Sequence, residues 1–112
     1  GITVAGNGTS GVGSNQLVGP WDLFIDSSNT LYVTDRYGHR VQKYLRGNAN
    51  GTTVAGQANS VPGSNLAQLN ECTGIYVDEL ENVYVSDMKN ARVMLWPKNA
   101  LSGSICFGQT GI

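Results

Sequence analysis

An internal repeat is the feature of this 112-residue sequence that most restricts its fold. Residues 3–6 return as residues 53–56, and from residue 69 onward the second copy follows the first at a constant offset of fifty-two positions. The offset changes within a stretch of Gly, Ser, Asn and Pro, where insertions are well tolerated. A period of this length is typical of architectures in which one supersecondary unit stacks on the next.

Each copy predicts four strands, because its segments are short, rich in β-branched and aromatic residues, and bounded by turn residues. The predicted strands are residues 21–25, 31–34, 40–44 and 52–55, and then 74–77, 83–86, 92–96 and 104–107. Leu23, Phe24 and Ile25 are apolar in succession, which indicates a strand covered on both faces. The hairpin turns predict a left-handed residue at Asn29 or Gly38. Four antiparallel strands with both faces buried describe one blade of a β-propeller, an all-β fold.

Both copies resemble the NHL repeat. The resemblance is carried by residues 19–26, 31–35 and 38–44 in the first copy and by residues 73–78, 83–87 and 90–96 in the second. Cys72 stands where the family usually has Pro, and Asn29 and Glu81 stand where it usually has Gly. The resemblance implies NHL-type propeller blades, and the family commonly forms six-bladed rings.

The repeat register predicts five segments. These are the outer strand of a preceding blade plus an inter-blade loop (1–19, with the strand at residues 2–5), a first blade (20–56), an inter-blade loop (57–71), a second blade (72–108) and the start of another loop (109–112). Propellers close with ~4–8 blades, so two blades need neighbours. We expect a window cut from a longer repeat protein, with a self-assembling short chain as the second interpretation. Identical chains would then form a ring or, where the rotation does not close, a filament.

Composition excludes several classes of function. Only 13% of the residues are charged and the net charge is -1, which excludes a basic nucleic-acid or membrane-surface binder on composition alone. The apolar runs are far shorter than the ~20 residues needed to span a bilayer. Residues 6–11 satisfy the pattern G-x-G-x-x-G, but the following residues continue as loop rather than helix, so we reject a nucleotide site.

Two Asn-Gly-Thr triplets, at Asn7 and Asn50, are candidate N-glycosylation sites in predicted surface turns. The alternative is a chance occurrence in an Asn-rich chain. Glycans at these positions would require the secretory pathway, so this hypothesis places the protein outside the cell.

Cys72 and Cys106 are candidate disulfide partners, and with the single His39 they are too few for a zinc site. One disulfide would tie the entry of the second blade to its outer strand and would fit an oxidising compartment. Against it, the inner and outer strands of a blade are about 14 Å apart, twice the separation that a disulfide spans. Pairing with other blades and buried free thiols are the alternatives.

Asp35 with Arg40, and Asp87 with Arg92, recur at the same spacing across one hairpin of each copy. Acid and cation groups of an active site are one interpretation, but their presence in both copies favours a structural role. The resemblance implies that these groups hydrogen-bond around the turn or brace adjacent blades.

The leading functional hypothesis is a non-catalytic, N-glycosylated extracellular NHL module that contacts neighbouring blades or identical chains, without cofactor, metal, nucleic acid or membrane. The alternative is a fragment of a propeller enzyme, since the resemblance extends to a peptide-amidating lyase that uses histidine-bound metal and to calcium-dependent hydrolases. One histidine is too few for the lyase set. An RNA-binding propeller is the third hypothesis, and seven basic residues against eight acidic ones provide little positive surface for it.

Overall fold

The chain forms two four-stranded antiparallel sheets, seen in a computed structural model that describes residues 5–108. The first sheet contains β1 (Pro20–Ile25), β2 (Leu31–Asp35), β3 (Arg40–Tyr44) and β4 (Thr52–Gly56). The second contains β5 (Cys72–Val77), β6 (Val83–Asp87), β7 (Arg92–Trp96) and β8 (Ser104–Gly108). The strands of each sheet pair in chain order. The all-β prediction of two propeller-type blades is confirmed.

Two parts of the sequence interpretation stay predictions. The strand expected at residues 2–5 falls, except for Ala5, outside the described residues. The division into an incomplete preceding blade, two blades and their loops is likewise not tested by the fold of residues 5–108. Within that range, the helical segments are single 3-10 turns, and none is long and apolar enough to cross a membrane.

The second sheet repeats the register of the first. Phe24 pairs with Tyr32 in one sheet, and their counterparts Tyr76 and Tyr84 pair in the other. Both sheets also carry an irregularity between the third and fourth strands, after Val41 in the first and at the equivalent point of the second. The repeat in the sequence is therefore a repeat in hydrogen bonding.

The hairpin turns match the prediction at one position and differ at another. Asn29 is left-handed, with φ of 63°, as expected. In the next hairpin a 3-10 turn at Arg36–Gly38 comes first, and the left-handed residue is His39 (φ 55°), not Gly38. Glycine is required at position 38 for lack of space, because a Cβ there would collide with the carboxylate of Asp35.

The two sheets stack face to face, as blades do. We call the face that a sheet turns toward the lower-numbered end of the chain its front face, and the opposite face its back face. The back of the first sheet packs on the front of the second, and loop residue Leu69 completes this core. The largest fully buried side chains there include Tyr32, Met94 and Trp96. We call this contact the internal joint.

Candidate functional site

The residues on each face follow from the strand registers. The front of the first sheet carries Leu23, Ile25, Leu31, Val33, Gln42 and Tyr44, and its back carries Phe24, Tyr32, Thr34, Val41, Lys43 and Ala55. On the second sheet the counterparts are Ile75, Val77, Val83, Val85, Met94 and Trp96 in front, and Tyr76, Tyr84, Ser86, Val93, Leu95 and Phe107 behind. The internal joint uses one face of each sheet. The front of the first sheet and the back of the second sheet are therefore left without a neighbouring sheet among the described residues.

These two remaining faces are largely apolar, and each of them exposes some of its apolar side chains. Ile25, on the front of the first sheet, is 57% exposed, whereas its counterpart Val77 in the internal joint is 3% exposed. Phe107, on the back of the second sheet, is 72% exposed, whereas its counterpart Ala55 is 1% exposed. Exposed apolar patches of this kind mark interaction sites. The candidate functional site is therefore the exposed apolar part of these two sheet faces, which we call the open faces.

The front face of the first sheet is partly covered and contains a groove. Ala5 and Leu17 pack against Leu31, Val33 and Tyr44 at one end of the face. Beside them lies a concavity of about 470 Å³, which is lined by Leu23, Ile25, Asn29, Leu31, Tyr44 and residues 45–49. A ligand or partner that filled this groove would be held mainly by apolar contacts.

An acidic residue bridges the sheets at one edge of the internal joint. Glu81, in the turn between β5 and β6, accepts a hydrogen bond from Lys43 of the first sheet at 3.0 Å. The same carboxylate accepts one from Lys98 of its own sheet at 2.7 Å. The hydrogen bonds from Lys98 and Lys43 lower the pKa of Glu81 to about 2. Burial raises the pKa of the neighbouring Tyr32 to about 12, and the Glu81 charge acts in the same direction.

At another edge of the joint, Glu71 connects the sheets. Its carboxylate lies 3.3 Å from the Nε of Arg36, and its backbone N–H donates to Nδ1 of His39 at 2.9 Å. The Arg36 guanidinium also stacks over the ring of Trp21, 4.3 Å from the centroid, and near that of Tyr37. Trp21 and Tyr37 are both more than half exposed, so arginine and two aromatic side chains form an outward-facing patch.

The repeated Asp–Arg pairs lie inside the fold and hold the inter-blade loops. Asp35 and Arg40 are buried, with the carboxylate 3.3 Å from the arginine Nε. Asp35 accepts the backbone N–H groups of residues 18 and 19, while the Arg40 guanidinium donates to four carbonyls of residues 12, 13, 16 and 58. Arg92 and Asp87, 2.7 Å apart, repeat this arrangement with the loop at residues 63–70. Both pairs therefore use their polar atoms to hydrogen-bond the backbone carbonyls and amides of the loops.

The candidate glycosylation sites lie on the surface. Asn7 and Asn50 are exposed. The Asn7 side-chain oxygen accepts the N–H of Thr9 at 2.9 Å, and the Asn50 side-chain oxygen accepts the Ser14 hydroxyl at 3.0 Å. Both acceptor asparagines can therefore be reached from solvent, while occupancy by a glycan stays a prediction.

The two candidate disulfide cysteines are free thiols and are not bonded to each other. Cys72 lies on β5 and Cys106 on β8, the inner and outer strands of one sheet, where strand spacing separates them beyond disulfide reach. Cys72 is fully buried in the internal joint, and its thiol donates to the carbonyl of Arg40 at 3.3 Å. Pairing of Cys106 with another blade stays a prediction.

Within residues 5–108, no three His, Cys, Asp or Glu side chains are grouped so that they could hold a metal ion. His39 is half-buried, and its Nδ1 accepts the backbone N–H of Glu71 at the joint. Sequence reasoning missed the Lys43–Glu81 and Arg36–Glu71 contacts. The only available signal was that both members of each pair differ from their counterparts in the other copy.

The fold and its open faces define a class, the stacked four-stranded repeat modules of β-propellers. Residues 17–44 match the family model of the NHL repeat. The match covers β1, β2 and β3 of the first sheet, as the sequence resemblance indicated, and the second sheet repeats the strand order and register of the first. In a comparison with curated proteins, none matched the chain. NHL repeats are commonly non-catalytic, and their presence suggests a protein-interaction module.

Proposed function

We propose that this chain is a non-catalytic, extracellular NHL-repeat module that works by stacking its two open faces on further propeller blades, in a ring or a filament. The observation that carries the proposal is the contrast between Ile25 and Val77 and between Phe107 and Ala55. Val77 and Ala55 are buried at the internal joint, whereas their counterparts Ile25 and Phe107 are exposed on the remaining faces. The rest of the front face is covered by Ala5 and Leu17 of the chain itself. A blade buries apolar area only against such a neighbour.

The extracellular part of the proposal depends on glycans. Asn7 and Asn50 are both exposed and both followed by Gly-Thr. Both lie in loops rather than in strands. Two bulky hydrophilic groups on these loops would increase solubility.

The non-catalytic part depends on where the polar groups are engaged. The buried Asp35–Arg40 and Asp87–Arg92 pairs bind loop backbone, and Nδ1 of His39 accepts a backbone N–H. The propeller-enzyme alternative calls for metal analysis of the full-length protein and for substitution of His39. Retained metal together with an activity lost on His39 substitution would overturn the proposal.

The glycan proposal is tested by intact-mass analysis of protein taken from its natural source. We expect a glycan mass at Asn7 and at Asn50. In a secreting eukaryotic host, Thr9→Ala and Thr52→Ala should each remove one glycan mass while leaving the asparagine in place. Unmodified asparagines in the natural protein would remove the extracellular part of the proposal and leave the stacking part to be judged by imaging of the assembly.

A further inference from the structure

The packing on the front of the first sheet repeats one part of the internal joint. At the joint, Ala55 of β4 and the loop residue Leu69 share a core with three residues of the second sheet: Val83, Val85 and Trp96. On the front of the first sheet, Ala5 and Leu17 pack against the counterparts of those three residues: Leu31, Val33 and Tyr44. The places of Ala55 and Leu69 are therefore already taken on this face by Ala5 and Leu17 of the chain itself.

The other part of the joint has no equivalent on this face. At the joint, β5 packs against β1 and β2, and its residue Val77 is buried. The counterpart of β5 is β1, and its front-face residues Leu23 and Ile25 are 56% and 57% exposed. An occupant of this face would have to cover β1 with the inner strands of a sheet, while the place of the outer strand belongs to Ala5.

The groove on this face corresponds to a place that is almost filled at the joint. The joint contains a cavity of about 20 Å³ that is lined, among others, by Glu81, Val83, Pro97, Lys98 and Asn99. Their five counterparts all line the groove of about 470 Å³: Asn29, Leu31, Leu45, Arg46 and Gly47. At the joint, Tyr32 and Lys43 of the first sheet line the same small cavity from the other side. The groove is therefore the place where a neighbouring sheet would insert the side chains equivalent to these two.

The charges in the two places are arranged differently. At the joint the second sheet supplies the acid, because Glu81 pairs with Lys98 of its own sheet and with Lys43 of the first. On the front face, Asn29 stands in place of the acid, while the cation is kept as Arg46. Within residues 5–108, no acidic side chain pairs with Arg46. A side chain inserted here at the position of Lys43 would lie near Arg46, which attracts a carboxylate and repels an ammonium group.

We infer that the front of the first sheet binds the three inner strands of a further propeller-type blade, and that this blade carries Asp or Glu at the position equivalent to Lys43. The inference rests on the proposed function, since it states the chemistry of the blade that stacks on this face. The carboxylate would pair with Arg46, and an apolar side chain at the position of Tyr32 would fill the groove. Neither sheet of this chain fits, because the first carries Lys43 and the second Leu95 at this position. The occupant is a blade of different sequence rather than a second copy.

A chain extended by three strands provides the test. Gly1 is the counterpart of Gly51, so a copy of residues 20–50 placed directly before Gly1 continues the repeat in register. This extension is made with Lys43 unchanged and with Lys43→Glu in the added copy. Circular dichroism would verify that each extension adds β-structure.

Occupation of the groove is measured by the reactivity of a cysteine placed in it. Ile25→Cys in a Cys106→Ser chain provides a thiol in the groove, while Cys72 is buried. We expect a maleimide to label this thiol quickly in the chain without extension and slowly when the groove is filled. The Lys43→Glu extension should protect it about five- to tenfold more than the unchanged extension, since an ion pair replaces a like-charge contact. With Arg46→Glu in the groove, the order of the two extensions should reverse.

Tyr37→Glu in the added copy is the control, because it introduces the same charge in the turn at the opposite end of the sheet and should leave the protection unchanged. A copy of residues 72–102, compared as Leu95→Glu and Leu95→Lys, covers the case in which the first extension does not fold. Equal protection by acidic and basic extensions, or an order that Arg46→Glu does not reverse, would overturn the inference and leave the proposed stacking in place. Absence of protection by both kinds of extension would overturn the inference and the stacking together.

Discussion

Lys43 Nζ lies 3.0 Å from Glu81 Oε1, and this contact ties the third strand of one blade to a turn of the next. Lys98 approaches the second oxygen of the same carboxylate at 2.7 Å. One acidic side chain thus holds two ammonium groups from different sheets. Its charge state consequently affects how firmly the two blades are held together.

Acid should weaken this connection. The Glu81 pKa is lowered from 4.5 to about 2, so its stabilising contribution is complete above the unfolded-state pKa and is lost as the pH falls toward 2. We expect Glu81→Gln to lower the free energy of unfolding at neutral pH by about 0.5–1 kcal/mol, as for partly exposed ion pairs. The difference between parent and variant should shrink as the pH falls from 4.5 to 2.

Urea unfolding at a series of pH values measures this difference. Glu79→Gln is the matched control, because Glu79 is an exposed acid of the same turn. A parent–variant difference that stays constant down to pH 2 would contradict the role assigned to the Glu81 charge.

Breaking the buried Asp87–Arg92 pair should lower the free energy of unfolding far more than removing the Glu81 charge. Asp87→Ala would leave the Arg92 guanidinium buried without its carboxylate and would release the N–H of Asn70. Removing one partner of a buried ion pair costs about 3–5 kcal/mol. We expect a large fall in the denaturation midpoint by fluorescence of the buried Trp96.

A milder variant covers the case in which Asp87→Ala does not fold. Asn90→Gly introduces the residue found at Gly38 and removes one hydrogen bond to Asp87, with an expected cost of about 1 kcal/mol. Glu79→Ala is the surface control. If Asp87→Ala cost no more than that control, the buried pair would not be what fixes the loop.

The strands and their order could be predicted because the signals are local. Apolar runs such as Leu23 to Ile25, with turn residues on both sides, set bounds that agree with the structure to within two residues. The left-handed position at His39 was missed because Gly38 is the usual residue for that conformation, whereas here it is needed for the space beside Asp35.

The contacts of the joint could not be predicted in the same way. Lys43 and Glu81 are 38 residues apart, and no short motif joins them. Their pairing depends on which faces of two sheets meet, and that is decided by stacking rather than by strand sequence. A position-by-position comparison of the two copies does point to this pair, because Lys43 and Glu81 are charged and their counterparts Leu95 and Asn29 are not.

The hydrogen bond from the Glu71 N–H to Nδ1 of His39 should contribute measurably to the joint. His39→Ala removes the acceptor and keeps a workable backbone, since the counterpart Ala91 has φ of 50°. Leaving the N–H without its partner should lower the free energy of unfolding by about 1–2 kcal/mol. His39→Asn, which tolerates the left-handed conformation and offers a side-chain oxygen, should recover part of the loss.

Thermal unfolding of the three proteins at neutral pH provides the measurement. Equal midpoints for the parent and His39→Ala would contradict the importance of this contact. A loss that Asn recovers would assign the effect to hydrogen bonding rather than to the volume of the imidazole.

The two thiols should differ sharply in reactivity. Burial raises the pKa of Cys72 to about 12, so almost none of the reactive thiolate is present at neutral pH. Its sulfur also lies between the two sheets and donates to the carbonyl of Arg40. Cys106, on β8, is only partly buried. We expect a maleimide reagent to modify one cysteine per folded chain, and both in denaturant, as counted by intact mass.

Single-cysteine variants identify which thiol reacts. The Cys106→Ser chain should stay unmodified under native conditions, whereas the Cys72→Ser chain should be labelled quickly. Because Cys72 becomes accessible only when the sheets separate, slow labelling of Cys106→Ser would report opening of the internal joint, and Glu81→Gln should accelerate it. Rapid labelling of Cys72 in the folded chain would mean that the two blades are not held together as the structure describes.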